Sequence, residues 1–405
     1  MSPIRPACTH HVLLHLVCRV LAWLGLGLLC LALNTAGENI AAHSVMRLPV
    51  AAVFFPSENL ECTVPAFVRD GKVAVYEDRF TGPGFLKIGV QYPVKRLKPV
   101  PGGKVWRFGL FSAVSSDGRF LATTFRRTKN GGCGLCLWSL ATRRPLWVER
   151  DAEPWTRFGV GSPIAFSLAN RYLAYFAKSD GIVVRVSGTG ARHATLNFPK
   201  GIAPGNSSQR IAFAANGRII SVTQFHIVCW DIATEKVAWV LPPPTGLSGF
   251  SGFRVAVIRN GKELAVAAYP AGKLAVIRKW APEIALYDVK TGKTLGAISV
   301  PAVVGRGARR ARNFSLLTDI AASQDGRYLV VAENGEGPFP RGVAQVGRLV
   351  VVGLAGHRII YASGLRQGGL WSVAISPDDR FVLASEPTRL LLFRMPYNNG
   401  TARRR

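Results

Sequence analysis

Acidic side chains are what this 405-residue chain most lacks. Its 51 Lys and Arg face only 23 Asp and Glu, which gives a formal net charge of +28 at pH 7. A field of that sign favours acidic partners: nucleic acid, anionic lipid or acidic polysaccharide. Histidine is scarce as well. Beyond the first 37 residues only His43, His193, His226 and His357 occur. No Ser–His–Asp order, Gly-x-Ser-x-Gly or Gly-rich phosphate loop accompanies them, so no common nucleophilic or phosphate-cradling site has a signature here. Cysteine is equally uninformative. Cys8, Cys18 and Cys30 fall in the N-terminal stretch, which leaves Cys62, Cys133, Cys136 and Cys229. Cys133-Gly134-Leu135-Cys136 has redox- or metal-like spacing, but a zinc site needs two further ligands and no second Cys or His pair is present. A local Cys133–Cys136 disulfide is the alternative after export. Cys136 and Cys229 sit in apolar runs and are expected to be buried small hydrophobes. No cofactor is expected.

Charge is also missing from the N-terminus. Arg5 and Arg19 are the only charged residues before Glu38, and Val20–Leu33 is an unbroken apolar run. That run is short for a membrane span and suits the apolar region of a signal peptide. Residues 1–37 are therefore expected to be an export signal, with cleavage before Glu38 or Ala42. An uncleaved N-terminal membrane anchor, formed by a leader helix, is the alternative.

What the chain has in plenty is one short turn. It reads Asp117-Gly118-Arg119-Phe120-Leu121-Ala122, then Asp325-Gly326-Arg327-Tyr328-Leu329 and Asp378-Asp379-Arg380-Phe381-Val382. Looser copies start at Asp70, Ala169, Asn216 and Asn260, so the turn returns every 44 to 65 residues. Such a period marks an array of small β units. Asp-Gly and Asn-Gly suit tight two-residue hairpins, whose central residues both need positive φ. Each turn lies between two apolar runs and is followed by two more, which predicts four antiparallel strands, a to d, per unit. The last unit lacks its outer strand, and the run Arg47–Phe55 is available to supply it. The predicted fold is therefore all-β: a single seven-bladed propeller of four-stranded antiparallel blades over 47–395, closed by an N-terminal strand, preceded by an apolar leader helix and followed by a basic tail at 396–405. Six or eight blades stay open if the first and weakest copy is misread.

The phrase Ile375-Ser376-Pro377-Asp378 and the third-strand endings Trp230-Asp231-Ile232, Tyr287-Asp288-Val289 and Trp138-Ser139-Leu140 carry a resemblance. The pattern resembles the WD-repeat β-propeller family in its divergent bacterial form. The family's Gly-His before strand a is absent, so its buried His–Asp–Ser/Thr–Trp network is not expected. The resemblance implies a scaffold for interactions.

In an up-and-down blade the a–b and c–d turns share one face, and the b–c and d–a loops share the other. The long connections 242–253, 269–283, 301–318 and 333–347 all fall on the second face, around blades five and six. Long loops on a rigid scaffold are where binding concentrates. The residues proposed to bind are Lys273, Arg278, Lys279 and Trp280 in one loop, Arg306, Arg309, Arg310 and Arg312 in the next, Phe339 and Arg341 in the third, and Arg126, Arg127 and Lys129 from blade two. Guanidinium groups beside aromatic rings suit phosphate, carboxylate or sulfate. Asp319, Glu333 and Glu336 are the one carboxylate group that could form a pair or a metal site, or simply balance Arg327 and Arg341.

Two readings follow. The first is a non-enzymatic, exported scaffold for a protein or acidic polymer, with an anionic membrane surface as a further partner and nucleic acid disfavoured by export. The second is a propeller hydrolase, lactonase-like or glycan-acting, with its site at the central channel. Thr63, Phe108, Pro163, Arg210, Arg254, Asp319 and Trp371 open the inner strands. One carboxylate and no His among them favours binding.

Overall fold

A computed structural model describes residues 46–47, 50–54, 66–68, 73–78, 82–87, 93–96, 106–127, 133–150, 163–177, 181–202, 210–223, 226–242, 250–270, 283–300, 315–339, 342–386 and 389–395. Arg47–Arg405 is one compact unit; Met1–Met46 is a separate one, and apart from Met46 it lies outside the described residues. The leader, its expected helix and the C-terminal tail therefore fall outside them too.

The described residues are strands and turns throughout. After β1 (Met46–Arg47) and β2 (Val50–Phe54) come four-strand units in chain order. The first is β3 (Ala66–Val68), β4 (Val73–Asp78), β5 (Gly82–Lys87) and β6 (Pro93–Arg96). The second is β7 (Trp106–Val114), β8 (Phe120–Arg127), β9 (Cys133–Ser139) and β10 (Arg144–Glu149). The third is β11 (Ile164–Phe166), β12 (Tyr172–Ala177), β13 (Gly181–Val186) and β14 (Arg192–Leu196). The fourth is β15 (Arg210–Ala214), β16 (Arg218–Val222), β17 (Ile227–Asp231) and β18 (Lys236–Leu241). The fifth is β19 (Phe250–Ile258), β20 (Glu263–Pro270), β21 (Glu283–Asp288) and β22 (Thr294–Ser299). Then follow β23 (Ser315–Ala322), β24 (Tyr328–Phe339), β25 (Gly342–Gly353), β26 (Arg358–Ala362) and β27 (Arg366–Gln367), and finally β28 (Ser372–Ile375), β29 (Phe381–Ser385) and β30 (Leu390–Arg394).

The first strand of each sheet packs against the first strands of its neighbours, and the ring closes where β28 meets β3. This is a β-propeller. The expectation of seven four-stranded blades needs correction: six blades are four-stranded, and the remaining sheet is six-stranded, ordered β1-β26-β25-β24-β23 with β27 beside β25. Its width arises where the sequence suggested a long b–c loop. Residues 333–347 instead prolong a hairpin, in register from Tyr328↔Gly353 to Phe339↔Gly342. The prolonged β25 then pairs with β27 through Val346↔Gln367 and Gly347↔Arg366. The closing strand falls where the apolar run at 47–55 suggested. β2 pairs antiparallel with β30, from Val50↔Phe393 to Phe54↔Leu390, and completes the last blade.

The core is not central. It lies in layers between adjacent blades: one joins Ile258, Leu286 and Ile298 to Leu329, Val331 and Val350, and another joins Ile220 and Cys229 to Leu264 and Val266. Strands b and c are covered on both faces, so they read as continuous apolar runs; Leu329, Val330, Val331 and Ala332 are all fully buried. Each such side chain contributes about 1.5–3 kcal/mol on burial. The outer β18 covers one face only and alternates along KVAWVL. Trp138 and Trp230 are fully buried with their ring N–H groups satisfied: Nε1 donates to Thr123 Oγ1 at 2.9 Å and to the Asn197 carbonyl at 3.0 Å, respectively.

Candidate functional site

The repeated turn builds a face that holds an open recess. In the second blade Ser115 N donates to the Phe120 carbonyl at 3.0 Å and Gly118 N to the Ser115 carbonyl at 2.8 Å. The Ser115 hydroxyl donates to Asp117 Oδ1 at 2.6 Å and accepts from Phe120 N at 2.9 Å. Ser323, Asp325 and Tyr328 repeat these side-chain bonds, as do Ser376, Asp378 and Phe381. The unit is thus Ser-x-Asp-x-Arg-aromatic, with four residues between the paired Ser and aromatic positions. The two-residue geometry expected for Asp-Gly is not adopted: in the Asp-Gly copies only Gly118 (φ 63) and Gly326 (φ 71) are left-handed. The turn arginines Arg119, Arg171, Arg327 and Arg380 each lie over the next aromatic ring, at 5.2–5.8 Å from its centroid.

Where Asn170 (φ 58) or Asp379 (φ 55) takes the left-handed position, its side chain clasps the neighbouring blade. Asn170 Oδ1 accepts from Ser116 N at 3.0 Å, and the Asp379 oxygens accept from Gln324 N at 2.9 Å and Asp325 N at 3.0 Å. Ala215 N donates to the Gly261 carbonyl at 2.9 Å to make a third clasp. A Cβ at Gly261 would meet Ala215 N at 2.4 Å, so this close approach requires glycine.

Ringed by these turns is a recess of about 550 Å³ at the centre of the a–b face. Phe67, Val257, Ile258 and Ile375 give it apolar walls, and Ser116, Arg259, Asn260, Gln324 and Asp379 give it polar ones. Arg259 bonds Glu263 Oε1 at 2.6 Å and the Leu354 carbonyl at 3.3 Å. Burial, aided by the nearby Asp325 charge, raises the Asp379 carboxyl above its usual range against the pull of its two backbone donors and Arg327. Asp117 and Asp325 behave oppositely. Burial pushes each up, but bonds from Ser115 and Arg119, or from Arg327 and Ser323, outweigh it and hold the carboxyl low. Groups held low stabilise the fold above the unfolded value and lose that contribution as pH falls through the folded value. Thermal unfolding should therefore show stability dropping below about pH 4, and an Asp117→Asn/Asp325→Asn variant should lose less over the same interval. Asp379 acts against this trend, because its ionised form is the disfavoured one.

The inner strands hold a second cluster. Asp319 Oδ1 faces Arg210 Nη2 at 2.7 Å; Oδ2 accepts from the Ser372 hydroxyl and from Val373 N at 3.0 Å. Arg254, only 2% exposed, donates through Nε to the Thr318 carbonyl. The carboxylate group drawn from sequence is thus divided: Asp319 serves Arg210, while Glu333 pairs with Arg348 at 2.7 Å. The expected balance of Arg327 is corrected as well, since Arg327 pairs with Asp325, while Arg341 lies outside the described residues. Glu336 lies within β24. Among the described residues no group of three His, Cys, Asp or Glu could hold a metal.

The proposed basic sector fares differently. Lys129, Lys273, Arg278, Lys279, Trp280, Arg306, Arg309, Arg310, Arg312 and Arg341 lie outside the described residues. Arg126 and Arg127 end β8 rather than standing in a loop, and Phe339 ends β24. Cys136 and Cys229 are buried and free, so the alternative of a Cys133–Cys136 disulfide is not adopted. Burial pushes their thiols up to about 12 and about 11. The Asn170 and Asp379 clasps had no sequence signal beyond Asn and Asp at a turn, because their partners lie 54 and 55 residues away.

No protein-family model matches the chain, and no curated protein shows significant similarity to it. The class that the structure defines is a β-propeller, a fold consistent with a protein-interaction scaffold.

Proposed function

We propose that this chain is a non-enzymatic, WD-repeat-like binding propeller, exported from the cytoplasm, with an acidic or anionic partner. The observation that carries this reading is how the few carboxylates are used. Glu149 pairs with Arg185, Asp319 with Arg210, Glu263 with Arg259, Glu333 with Arg348, and Glu386 with both Arg366 and Arg389. With 51 cations and 23 anions, even complete pairing of the acids leaves a surplus of 28 positive charges for an outside partner to meet. A rigid ring of sheets holds that charge in place and keeps the entropic cost of binding low. The arginine-rich connection at 301–314 is the part of the surface proposed to reach a soluble partner.

The test is retention on heparin as a function of salt. An Arg309→Ala/Arg310→Ala/Arg312→Ala variant should elute earlier than wild type, with the slope of log affinity against log salt reduced by roughly one per arginine engaged. An Arg143→Ala/Arg144→Ala variant should change less. Equal effects would leave bulk charge as the whole explanation.

A further inference from the structure

Two arginines share one buried carboxylate on the loop-rich face. Glu386 follows β29 and is only 1% exposed. Its N donates to the Arg389 carbonyl at 2.8 Å, which closes the b–c turn of the last blade. Its Oε1 accepts from Arg366 Nε at 2.8 Å, and its Oε2 lies 2.5 Å from Arg389 Nη2. The second contact is an ion pair without a directed hydrogen bond, because Oε2 accepts none. Arg366 comes from β27, in the d–a connection between the six-stranded sheet and the last blade. The cluster thus joins a b–c turn to a d–a connection, and both belong to the same face of the ring.

The connection is fixed along its length. Arg366 pairs with Gly347. Gly368 N donates to the Gln345 carbonyl at 3.0 Å, Leu370 N to Asn334 Oδ1 at 2.6 Å, and Trp371 N to the Ser385 carbonyl at 2.8 Å. Charge does not balance on this frame. One guanidinium neutralises Glu386; two leave a surplus of one positive charge on side chains only 25% and 33% exposed. Charge that is partly buried is screened less by salt than charge in open water. Glu333, on the neighbouring hairpin, is already paired with Arg348. Among the described residues no further acceptor meets the two Nη groups of Arg366, or Nε and Nη1 of Arg389. Neither arginine holds a buried nitrogen that lacks a partner, so these donors reach solvent. A planar donor fork matches the oxygens of a carboxylate or sulfate.

We propose that Arg366 and Arg389, braced on Glu386, form an oxyanion-binding site that takes a carboxylate or sulfate group of the anionic partner. This rests on the reading of an anionic partner and gives that partner a point of attachment within the described residues. Glu386 acts as a positioning residue: it orients both guanidiniums and cancels half of their charge. The oxyanion supplies the second negative charge and the acceptors that the two forks lack. Because strand pairing and the turn already hold both arginines, little side-chain freedom is lost on binding.

The test is equilibrium dialysis of the full chain against radiolabelled sulfate at constant ionic strength, with unlabelled sulfate or acetate as competitor. Wild type should bind sulfate saturably. Arg366→Gln and Arg389→Gln should each weaken binding about ten-fold or more, the factor that one charge-assisted hydrogen bond supplies. Arg389→Lys, which keeps the charge and loses the fork, should fall between wild type and Arg389→Gln. Arg358→Ala, at an exposed c–d turn on the other face, should bind as wild type does. Competition by sulfate at lower concentration than acetate assigns a sulfated partner, and the reverse assigns a carboxylate. A measurement on wild type alone covers the case of a variant that fails to fold. Phenylglyoxal modification, mapped by mass spectrometry, should be slowed by sulfate at Arg366 and Arg389 and not at Arg358. Unprotected Arg366 and Arg389, or glutamine variants that bind sulfate as wild type does, overturn the inference. Wild-type protein that is retained on heparin but binds neither sulfate nor acetate saturably also overturns it, and leaves the anionic-partner reading standing. Failure to bind heparin as well defeats that reading too.

Discussion

Deleting Val50–Phe54 is expected to destabilise the propeller by more than about 5 kcal/mol, a large part of the 5–15 kcal/mol that holds a typical domain together. The segment is the outer strand of the last blade, paired along β30 from Phe54↔Leu390 to Val50↔Phe393. Without it β30 becomes an edge strand with unpaired N–H and C=O groups. Leu390, Leu391 and Phe393, all 0% exposed, would lose cover on that flank. Each apolar side chain returned to water forfeits about 1.5–3 kcal/mol. The same strand completes the last blade from the N-terminal side, so its loss leaves ring closure to the packing of β28 on β3 alone. Thermal unfolding and dye binding to exposed apolar surface would report the effect, and size-exclusion chromatography would show the edge-to-edge association it invites. An unchanged melting temperature would show that closure does not depend on β2.

The second large effect is expected at Asp319. Asp319→Ala should cost about 3–5 kcal/mol, the usual penalty for removing one partner of a buried ion pair. The guanidinium of Arg210, whose side chain is only 15% exposed, would lose its carboxylate partner. The Ser372 hydroxyl and Val373 N would lose their acceptor at the same time. Asp319→Asn should fall between wild type and alanine, since an amide oxygen can still accept from β28 while the charge is gone. Arg119→Ala, at a pair whose arginine side chain is 67% exposed, should change stability by less than about 1 kcal/mol. Urea unfolding of the four proteins would rank them. An alanine variant as stable as wild type would mean that the pair between β15 and β23 contributes nothing net.

Much of the fold was legible because it is written locally. Asp117-Gly118, Asp325-Gly326 and Asp378-Asp379 sit between apolar runs, and a turn of this kind closes through bonds to Ser115, Ser323 and Ser376 two residues earlier. The apolar run at 50–54 was legible as a strand in need of a partner. The six-stranded sheet was not. Gly335, Gly337, Pro338 and Gly342 punctuate 333–347 like a loop, yet the twelve residues of β24 pair in unbroken register with β25. Pairing across a hairpin overrode local preference, as it does where strand tendency depends on context. The Asp319 cluster was read as one group of carboxylates because three acids lie close in sequence. In the fold, two of them serve different cations: Arg210 reaches Asp319 from another blade, and Arg348 meets Glu333 across the hairpin.

The sequence by itself determined the turn, the apolar strands on either side of it and the excess of positive charge, because each depends on neighbours a few residues apart or on composition alone. Only the tertiary structure decided the width of the β23–β27 sheet, the clasps made by Asn170 and Asp379, and the pairing of Asp319 with Arg210. Those features join residues tens of positions apart. What brings them together is the stacking of blade on blade, a burial of apolar faces that no single repeat can achieve alone.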